Sequence, residues 1–281
     1  MNLAIVGLGA IGGSFAMSLM NKGNRRIIGI DIDEQTIDYA LKEQIIHEGM
    51  TVPEEGLKEA DVIMLTLYPS QIAPFVEQYR SYFKQGVVLT DVTGVKTSII
   101  KETSRVLPDH VDFIFAHPMR GSEKKGIAGA SADKFKGANA LITPLPQNKE
   151  ENLTRIEQLY RDAGFSTLTR VTPEKHDEQV AYVSQLMHAL SVSVVNSSQA
   201  SDDTLLFAGN SFQELTRIAD INDSLWSELF LNNKEALLQS IMSFEAELET
   251  FKQAIEADDE EALKDFLIRA RDQRRDWYCS S

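Results

Sequence analysis

The chain has 281 residues, enough for two domains or one large domain, and its formal net charge at pH 7 is −14. No segment is basic enough to follow a phosphate backbone, which argues against a nucleic acid as the partner. The single cysteine, Cys279, cannot form an internal disulfide, and neither it nor the five histidines have the spacing of a metal site. Residues 3–20 are apolar but contain four glycines, and no later segment has the length of a membrane span. We therefore expect a soluble, cytoplasmic protein with no membrane segment and no metal.

A strand, a glycine-rich turn and a helix open the chain in the order of the dinucleotide-binding fingerprint. Residues 2–6 predict a short buried strand, the sequence Gly-Leu-Gly-Ala-Ile-Gly follows, and an apolar helix pattern comes next. In such a motif the glycines make a tight turn, let a pyrophosphate approach the backbone and let the helix pack against the strand. The predicted cofactor contacts in this turn are Gly7, Leu8, Gly9, Ala10, Ile11 and Gly12.

An acidic residue at the end of the next strand completes the fingerprint. Residues 27–30 predict that strand, and Asp31 follows it at about the ~20-residue remove that the motif requires. A carboxylate there accepts hydrogen bonds from ribose hydroxyls and repels a 2′-phosphate, so the sequence favours NAD over NADP. A further strand over 60–67 leads into a loop that begins at Tyr68-Pro69. We therefore add three residues to the predicted cofactor contacts, namely Leu67, Tyr68 and Pro69.

Strands and helices continue to alternate up to residue 171. The pattern predicts helices over 74–83, 98–106 and 150–163, and strands over 87–90, 111–116, 138–143 and 167–171. Such alternation is typical of a doubly wound parallel sheet, so residues 1–171 are predicted to form an NAD-binding, Rossmann-type domain. Thr172-Pro173 marks the predicted domain boundary, because proline disfavours helix at the preceding residue.

No strand pattern appears after Pro173, so residues 172–281 are predicted to form an all-α domain. The expected helices cover residues 174–196, 207–218, 225–241, 244–255 and 261–277. Their apolar faces are wider than a bundle of this size buries by itself. We therefore expect this helical domain to bind substrate and to form a symmetric homodimer.

The stretch from His117 to Glu123, His-Pro-Met-Arg-Gly-Ser-Glu, follows the predicted strand 111–116. Open α/β sheets bind ligands at the carboxyl ends of their strands, which places His117 near the nucleotide. Because the pKa of histidine lies near neutrality, His117 is a candidate general base or acid; by position alone, a histidine that only bonds a turn is as good an interpretation. Thr93 follows the neighbouring strand and is a candidate catalytic residue or a turn-forming residue before Gly94.

The run from His117 to Gly126, His-Pro-Met-Arg-Gly-Ser-Glu-Lys-Lys-Gly, resembles a known motif. Together with Asp31 and the two-domain layout, it resembles the prephenate/arogenate dehydrogenase family of tyrosine biosynthesis over nearly the whole chain. The resemblance implies NAD-dependent oxidative decarboxylation of prephenate to 4-hydroxyphenylpyruvate, or the same reaction on arogenate. It also implies that His117 removes the proton of the ring hydroxyl, because the family histidine of this motif does so.

The resemblance also implies a set of substrate-binding residues. Arg217 matches the family arginine that grips the side-chain carboxylate, a task suited to the guanidinium fork. The other positions expected in or near the pocket are His188, Ser184, Glu123, Arg120 and Trp226. The chain departs from the family pattern at Gly94, where many members have a serine that bonds the catalytic histidine. Either Thr93 or a water would then have to orient His117, or nothing orients it.

Two other functions remain open on the sequence. A β-hydroxyacid-type dehydrogenase could share the two-domain plan, but such enzymes usually carry a catalytic lysine in the helical domain, and residues 179–196 contain none. A non-enzymatic module that senses NAD would not need a histidine and an arginine on opposite domains. Prephenate and arogenate differ only in a side-chain keto or amino group, so both remain candidate substrates.

Overall fold

A computed structural model describes residues 1–121, 125–197 and 203–279. The chain forms two compact units, Met1–Lys234 and Glu235–Ser281. The first unit contains the sheet and the helices up to residue 234, so the domain boundary predicted at 171/172 falls inside it. None of the helices in the described ranges is long and apolar enough to cross a membrane.

One sheet organises the first unit. In the described ranges its eight strands are β1 Asn2–Val6, β2 Arg26–Ile30, β3 Glu48–Met50, β4 Val62–Leu65, β5 Val88–Asp91, β6 Asp112–Pro118, β7 Asn139–Thr143 and β8 Thr167–Arg170. The order across the sheet is β3-β2-β1-β4-β5-β6-β7-β8, and neighbours from β3 to β6 are parallel. The order reverses between β1 and β4, at the switch point where such sheets bind their ligands. The predicted Rossmann-type sheet is confirmed.

Helices cover both faces of this sheet because its central strands, β1, β2, β4 and β5, are buried along nearly their whole length. They are α1 Ala10–Leu19, α2 Glu34–Lys42, α3 Glu54–Glu59, α4 Pro69–Tyr79, α5 Thr97–Thr103 and α6 Glu150–Ala163. One apolar cluster includes residues of α1, α2 and α6, with Phe15 of α1 against Phe135 at a ring distance of 4.4 Å. The other includes residues of α3, α4 and α5. The two clusters hold the carboxyl ends of β1, β4, β5 and β6 at one edge.

The structure differs from the expected parallel sheet in two details, both at β6. β7 runs antiparallel to β6, with Phe115 opposite Thr143. β6 also extends beyond residue 116, so His117 pairs with Leu141 and lies within the strand rather than just past its end. The physical reason is the connection, which in its described part contains only a short 3-10 turn, Ile127–Gly129, and no helix for a parallel crossover.

The remaining helices begin at Pro173, as the sequence predicts. They are α7 Pro173–Val180, α8 Leu186–Asn196, α9 Asn210–Arg217, α10 Asp223–Asn232, α11 Lys234–Glu256 and α12 Glu260–Cys279. The helix expected over 174–196 contains a π-helical turn, Ala181–Gln185, a feature often found at functional sites. The helix expected over 225–241 instead breaks at Asn233. The Asn233 amide donates to the Asp177 carbonyl and to Gln185 Oε1, both at 2.8 Å, so distant contacts set this break.

The second unit consists mainly of α11 and α12. Their contact includes the rings of Phe251 and Phe266, whose centroids are 5.4 Å apart, and an ion pair between Arg269 and Glu247 at 2.5 Å. The sequence predicted a break between helices over 225–241 and 244–255, whereas α11 runs from Lys234 to Glu256 without a break.

Candidate active site

The glycine-rich turn between β1 and α1 has a backbone that requires its glycines. Gly7 has φ +90°, in the left-handed region that favours glycine. A Cβ on Gly12 would collide with the Gly7 carbonyl oxygen, whereas a Cβ on Gly9 would meet no heavy atom within 4 Å. Ala10 and Ile11 form the first turn of α1, whose free amides can donate to an anion. The turn therefore leaves open space beside Gly9 and amide donors next to it.

Asp31 lies directly after β2 and is tied to this turn. Its Oδ2 accepts the backbone amide of Leu8 at 2.7 Å, and its Oδ1 accepts the amide of Asp33 at 3.0 Å. These bonds hold a half-buried carboxylate beside the glycine turn, in the position that the fingerprint assigns to the ribose contact. The turn and the acid together fit a dinucleotide.

The predicted cofactor contacts after β4 lie at the start of a helix. Pro69 is the first residue of α4, so the helix start expected at Pro74 is too late. Leu67 packs against one of the apolar clusters, and Tyr68 is exposed. The Tyr68 hydroxyl accepts a hydrogen bond from Asn222 Nδ2 at 2.8 Å, which joins this segment to the residue before α10.

A second histidine holds the ring of His117. His117 Nδ1 lies 2.9 Å from His176 Nε2, and His176 Nδ1 lies 2.8 Å from Asp177 Oδ1. Asp177 accepts the backbone amides of Lys96 and Thr97, each at 2.8 Å. Because His176 and Asp177 belong to α7, the first helix after the sheet supplies the support for a histidine within the sheet.

Burial and neighbouring charges determine the protonation states of His117, His176 and Asp177. Burial lowers the pKa of His117 well below its ordinary value, and His176 and Lys96 lower it further. Burial also lowers the pKa of His176, although its bond to Asp177 acts in the opposite sense. Burial acts to raise the pKa of Asp177, but hydrogen bonds from His176 and Thr97 outweigh it and hold that pKa below the ordinary value. Near neutral pH, two neutral imidazoles therefore stand beside an ionised carboxylate.

Thr93 does not have the orienting role that the sequence suggested. Its hydroxyl bonds the Asp91 carboxylate, and Lys96 Nζ donates to that hydroxyl at 3.0 Å. Lys96 Nζ also lies 2.6 Å from Asp91 Oδ2, and both charged side chains are fully buried. Thr93 therefore belongs to a buried polar cluster at the end of β5. His176 takes its place beside His117, because a ring nitrogen faces Nδ1 there.

Gly94 lies against the other nitrogen of His117. A Cβ at this position would be 3.6 Å from His117 Nε2 and 3.3 Å from Leu229 Cδ2. A serine here would therefore face Nε2, which is not the nitrogen that His176 contacts.

The structure brings three predicted pocket residues together around α8. His188 Nδ1 lies 2.9 Å from the Ser184 carbonyl oxygen, which belongs to the π-helical turn. The His188 ring stacks on Trp226 of α10, with centroids 3.7 Å apart and an angle of 29° between the planes. Backbone and indole thus fix the plane of His188 from two sides.

The predicted cationic anchors lie on exposed segments. Arg217 is the last residue of α9, which Ser191 of α8 holds through a 2.8 Å bond to the Leu215 carbonyl. Arg120 follows β6 by two residues and is exposed. Glu123 lies outside the described residues. Across residues 1–121, 125–197 and 203–279, no group of three or more His, Cys, Asp or Glu residues could hold a metal ion.

Sequence reasoning gave no role to four residues that the structure places at the site: Asp91, Lys96, His176 and Asp177. Asp91 ends β5 and Lys96 follows it closely, which is a weak signal for a polar cluster at a strand end. His176-Asp177 follows the helix start at Pro173 and lies in a segment that the resemblance covers, but the resemblance assigned it no role. Its proximity to His117 in the folded chain supplies that role.

Two family models match consecutive parts of the chain. Residues 15–169 match the model described as "Prephenate dehydrogenase, nucleotide-binding domain", and residues 172–269 match "Prephenate dehydrogenase, dimerization domain". The chain is 28% identical to the prephenate dehydrogenase of Bacillus subtilis, over 97% of this chain and 75% of that one. It is 23% identical to the cyclohexadienyl dehydrogenase of Zymomonas mobilis, over 97% of this chain and 94% of that one.

Solved structures of similar proteins agree over the whole length. Prephenate dehydrogenase from Aquifex aeolicus, in complex with hydroxyphenyl propionate and NAD+, gives a TM-score of 0.89 at 28% identity and covers 98% of both chains. Arogenate dehydrogenase from Synechocystis gives a TM-score of 0.83 at 26% identity and covers 99% of this chain and 100% of that one.

A nucleotide turn at the switch point of an open sheet, with a neutral histidine at a nearby strand end, defines a nucleotide-dependent dehydrogenase. The family models narrow this class, because together they match most of the chain. The chain belongs to the prephenate dehydrogenase family. The predicted family is confirmed, and with it the prediction of an oxidoreductase.

Proposed function

We propose that the chain catalyses the NAD-dependent oxidative decarboxylation of prephenate to 4-hydroxyphenylpyruvate. The observation that carries the proposal is His117, which is neutral near pH 7 and is held at the end of β6; two strands, β4 and β5, separate β6 from β1 and its nucleotide turn. The prephenate dehydrogenases of Bacillus subtilis and Aquifex aeolicus support it, because each matches 97% or more of the chain.

NAD fits the residues that the structure presents. The open side of Gly9 and the amides at the start of α1 suit a pyrophosphate, and the Asp31 carboxylate suits two ribose hydroxyls. Asp31 also disfavours NADP, because its negative charge would face a 2′-phosphate. Bound NAD supplies the acceptor for the hydrogen that leaves the hydroxyl-bearing ring carbon as hydride.

His117 supplies the acid–base chemistry. It accepts the proton of the ring hydroxyl as that carbon is oxidised to a carbonyl. The bond from the ring to its carboxylate then breaks, its electron pair enters the ring, and carbon dioxide leaves. His117 returns its proton to the phenolate oxygen, so the reaction consumes and releases no net proton. Because the ring becomes aromatic, orientation and one proton transfer are the main tasks left to the protein.

Prephenate carries two carboxylates and therefore needs positive partners. We assign the side-chain carboxylate to Arg217, with Arg120 as a further cation at the pocket mouth. Ser184, His188 and Trp226 complete the substrate side, where the Ser184 carbonyl and the indole of Trp226 hold the ring of His188. Glu123 is proposed for the same pocket on the resemblance alone.

Arogenate is the second candidate substrate. The similar proteins from Zymomonas mobilis and Synechocystis are a cyclohexadienyl dehydrogenase and an arogenate dehydrogenase, which favours a test of both cyclohexadienes. A β-hydroxyacid substrate has less support, because residues 179–196 contain no lysine.

The test is to follow the near-ultraviolet absorbance of NADH with prephenate, arogenate and a simple β-hydroxyacid, each with NAD and with NADP. We expect turnover of prephenate with NAD, and much less with NADP. Turnover of arogenate alone would change the proposed substrate from prephenate to arogenate and leave the proposed reaction type unchanged. Turnover of neither cyclohexadiene would overturn the proposed function.

We also propose that residues 172–281 form the interface of a homodimer. The family model matching residues 172–269 is described as a dimerization domain, and many large apolar side chains here are exposed, including those of Val183, Met187, Leu238, Met242, Leu248 and Leu267. Light scattering at micromolar concentration should give the mass of two chains, and the mass of one chain would contradict the dimer. The cytoplasmic location stays a prediction, and fractionation of the source cells tests it.

A further inference from the structure

The support behind His117 is anchored on backbone rather than on a mobile side chain. Both carboxylate oxygens of Asp177 accept amides at the start of α5, those of Lys96 and Thr97, at 2.8 Å. The Asp177 carbonyl is held in turn by Asn233 at 2.8 Å. Because two backbone amides and the side-chain amide of Asn233 fix Asp177, the position of His176 beside it is fixed as well.

The donors and acceptors along this chain of contacts allow one arrangement. An ionised carboxylate can only accept, so His176 donates to Asp177 from Nδ1. A neutral imidazole with its proton on Nδ1 has an acceptor at Nε2, and the atom 2.9 Å from that acceptor is His117 Nδ1. His117 therefore carries its own proton on Nδ1. Its Nε2 is left with a lone pair.

The surroundings of Nε2 agree with this assignment. Gly94 faces that nitrogen and has no side chain that could donate to it; a Cβ there would be 3.6 Å from Nε2 and 3.3 Å from Leu229 Cδ2. In the proposed function, the substrate hydroxyl is the donor to Nε2. A serine at position 94 could not replace His176, because it would reach Nε2 rather than Nδ1.

We propose that Asp177 and His176 form a proton relay that fixes the tautomer of His117 and takes up the positive charge created in the reaction. This proposal rests on the proposed function, in which His117 is the base. When Nε2 of His117 accepts the substrate proton, the proton on its Nδ1 moves to His176 Nε2. The bond from His117 Nδ1 to hydrogen breaks and the bond from His176 Nε2 forms. His176 becomes an imidazolium beside the Asp177 carboxylate, and the reverse movement returns the proton.

The charges around the relay favour this direction of transfer. Lys96 is the nearest buried cation and lowers the pKa of both histidines, but its charge is balanced by Asp91 at 2.6 Å. Asp177 raises the pKa of His176, which it contacts, whereas the effects acting on His117 all lower its pKa. The proton is therefore more stable on His176 than on His117. His176 and Asp177 are positioning residues, because they act through His117.

The first test needs neither substrate nor turnover. In uniformly 15N-labelled protein without substrate, the nitrogen chemical shifts of each imidazole distinguish the protonated from the unprotonated nitrogen. The five histidines can be assigned with single His→Gln variants. We expect His117 with a proton on Nδ1 and none on Nε2, and a proton on Nε2 of His117 would overturn the relay. This measurement remains valid even if prephenate and arogenate are not substrates. Failure of the relay can therefore be distinguished from failure of the proposed function.

The second test separates support of the base from support of the fold. His176→Phe removes the acceptor, and we expect kcat to fall about 10²–10⁴-fold, the scale of lost general-base catalysis, with KM little changed. His176→Gln keeps an acceptor facing His117 but cannot take a proton, so it should rescue the tautomer and only part of kcat. An unchanged kcat in His176→Phe would overturn the proposal.

A matched control comes from a histidine outside the site. His110 is also partly buried and bonds a backbone carbonyl, that of Phe83, at 3.0 Å. His110→Gln should leave kcat and KM unchanged. If His176→Phe does not fold, as judged by circular dichroism and NAD titration, the kcat of His176→Gln is the deciding measurement. A His176→Gln variant with wild-type kcat would overturn the proton transfer, because glutamine cannot perform it.

Discussion

The buried pair of Lys96 and Asp91 tests how the site is held together. Lys96 Nζ lies 2.6 Å from Asp91 Oδ2, and neither side chain is exposed. Replacing Lys96 with methionine keeps most of the side-chain volume but leaves a buried carboxylate without its cation. Breaking a buried pair in this way costs about 3–5 kcal/mol of the free energy of unfolding.

The other hydrogen bonds of Lys96 and Asp91 determine how much of the free energy of unfolding each single substitution removes. The Asp91 carboxylate also accepts the backbone amides of Thr93 and Ala116, each at 3.0 Å. These donors still compensate part of its charge in Lys96→Met, so we expect a loss of about 3 kcal/mol. In Asp91→Asn the ammonium retains the Thr93 hydroxyl at 3.0 Å, and we expect a larger loss of about 5 kcal/mol.

A surface pair of the same length provides the control. Lys84 Nζ also lies 2.6 Å from its partner, Asp61 Oδ1, but each side chain is 38% exposed. Exposed pairs contribute about 0–1 kcal/mol, so Lys84→Met should cost little. Urea unfolding followed by circular dichroism measures both variants in one assay. If Lys96→Met and Lys84→Met lower the free energy of unfolding equally, the reasoning is refuted that burial, rather than distance, determines how much an ion pair contributes to stability.

The same Lys96→Met variant should change the pH dependence of activity. Lys96 lowers the pKa of His117 and of His176, so removing its charge raises both. A general base works only when it is unprotonated, and activity is therefore lost as the pH falls through its pKa. The acid limb of kcat/KM should lie at higher pH in the variant than in the wild type. A shift to lower pH would contradict the assigned effect of Lys96.

His117→Asn should lower kcat by about 10²–10⁴-fold, because that is the usual contribution of a general base; a near-wild-type rate at saturating substrate would remove His117 from that role. Arg217→Ala should raise KM roughly 10- to 150-fold through the loss of a charge-assisted bond of about 1.5–3 kcal/mol. An unchanged KM in Arg217→Ala would move the anchor elsewhere. Gly9→Ala should fold normally but bind NAD more weakly, whereas Gly12→Ala should unfold at lower temperature because its Cβ collides with backbone. Thermal unfolding and NAD titration separate these two, and an unstable Gly9→Ala would contradict the open space at Gly9.

The nucleotide-binding half could be predicted because its signals are local. Residues 2–12 give the strand and the turn in unbroken order, and Asp31 follows the next strand at the expected remove. The left-handed backbone at Gly7 and the close packing at Gly12 each depend on neighbours within a short segment or on the adjacent strand. Sequence and local geometry therefore point to the same structure here.

The parts of the sheet that the sequence did not predict have weak or distant signals. β3 is three residues long, Glu48–Met50, which is too short for an apolar period to stand out. The direction of β7 is not encoded in its own residues, since a buried strand looks the same in either direction. It follows from the segment before it, which in its described part has no crossover helix, and this placed His117 inside β6 rather than after it.

The support of His117 could not be predicted because it joins residues that are far apart in sequence. His117 and His176 are separated by 59 positions, and Lys96 and Asp177 by 81. Thr93 follows the neighbouring strand, and Gly94 departs from the family pattern, so a local interpretation looked to this segment for the orienting group. The fold instead brings α7, the first helix after the sheet, to the end of β5, where His176 Nε2 contacts His117 Nδ1 and orients its ring.

This arrangement changes what the boundary at 171/172 means for catalysis. Residues 1–171 contain the nucleotide turn, Asp31 and His117, yet both members of the supporting pair lie beyond them in α7. Asp177 bonds the start of α5 and, through Asn233, the end of α10, so the orientation of the base depends on how these helices pack against the sheet. The compact unit accordingly extends to Lys234. A boundary drawn by fold class separates strands from helices, but it divides the group of residues that orients His117, the proposed base.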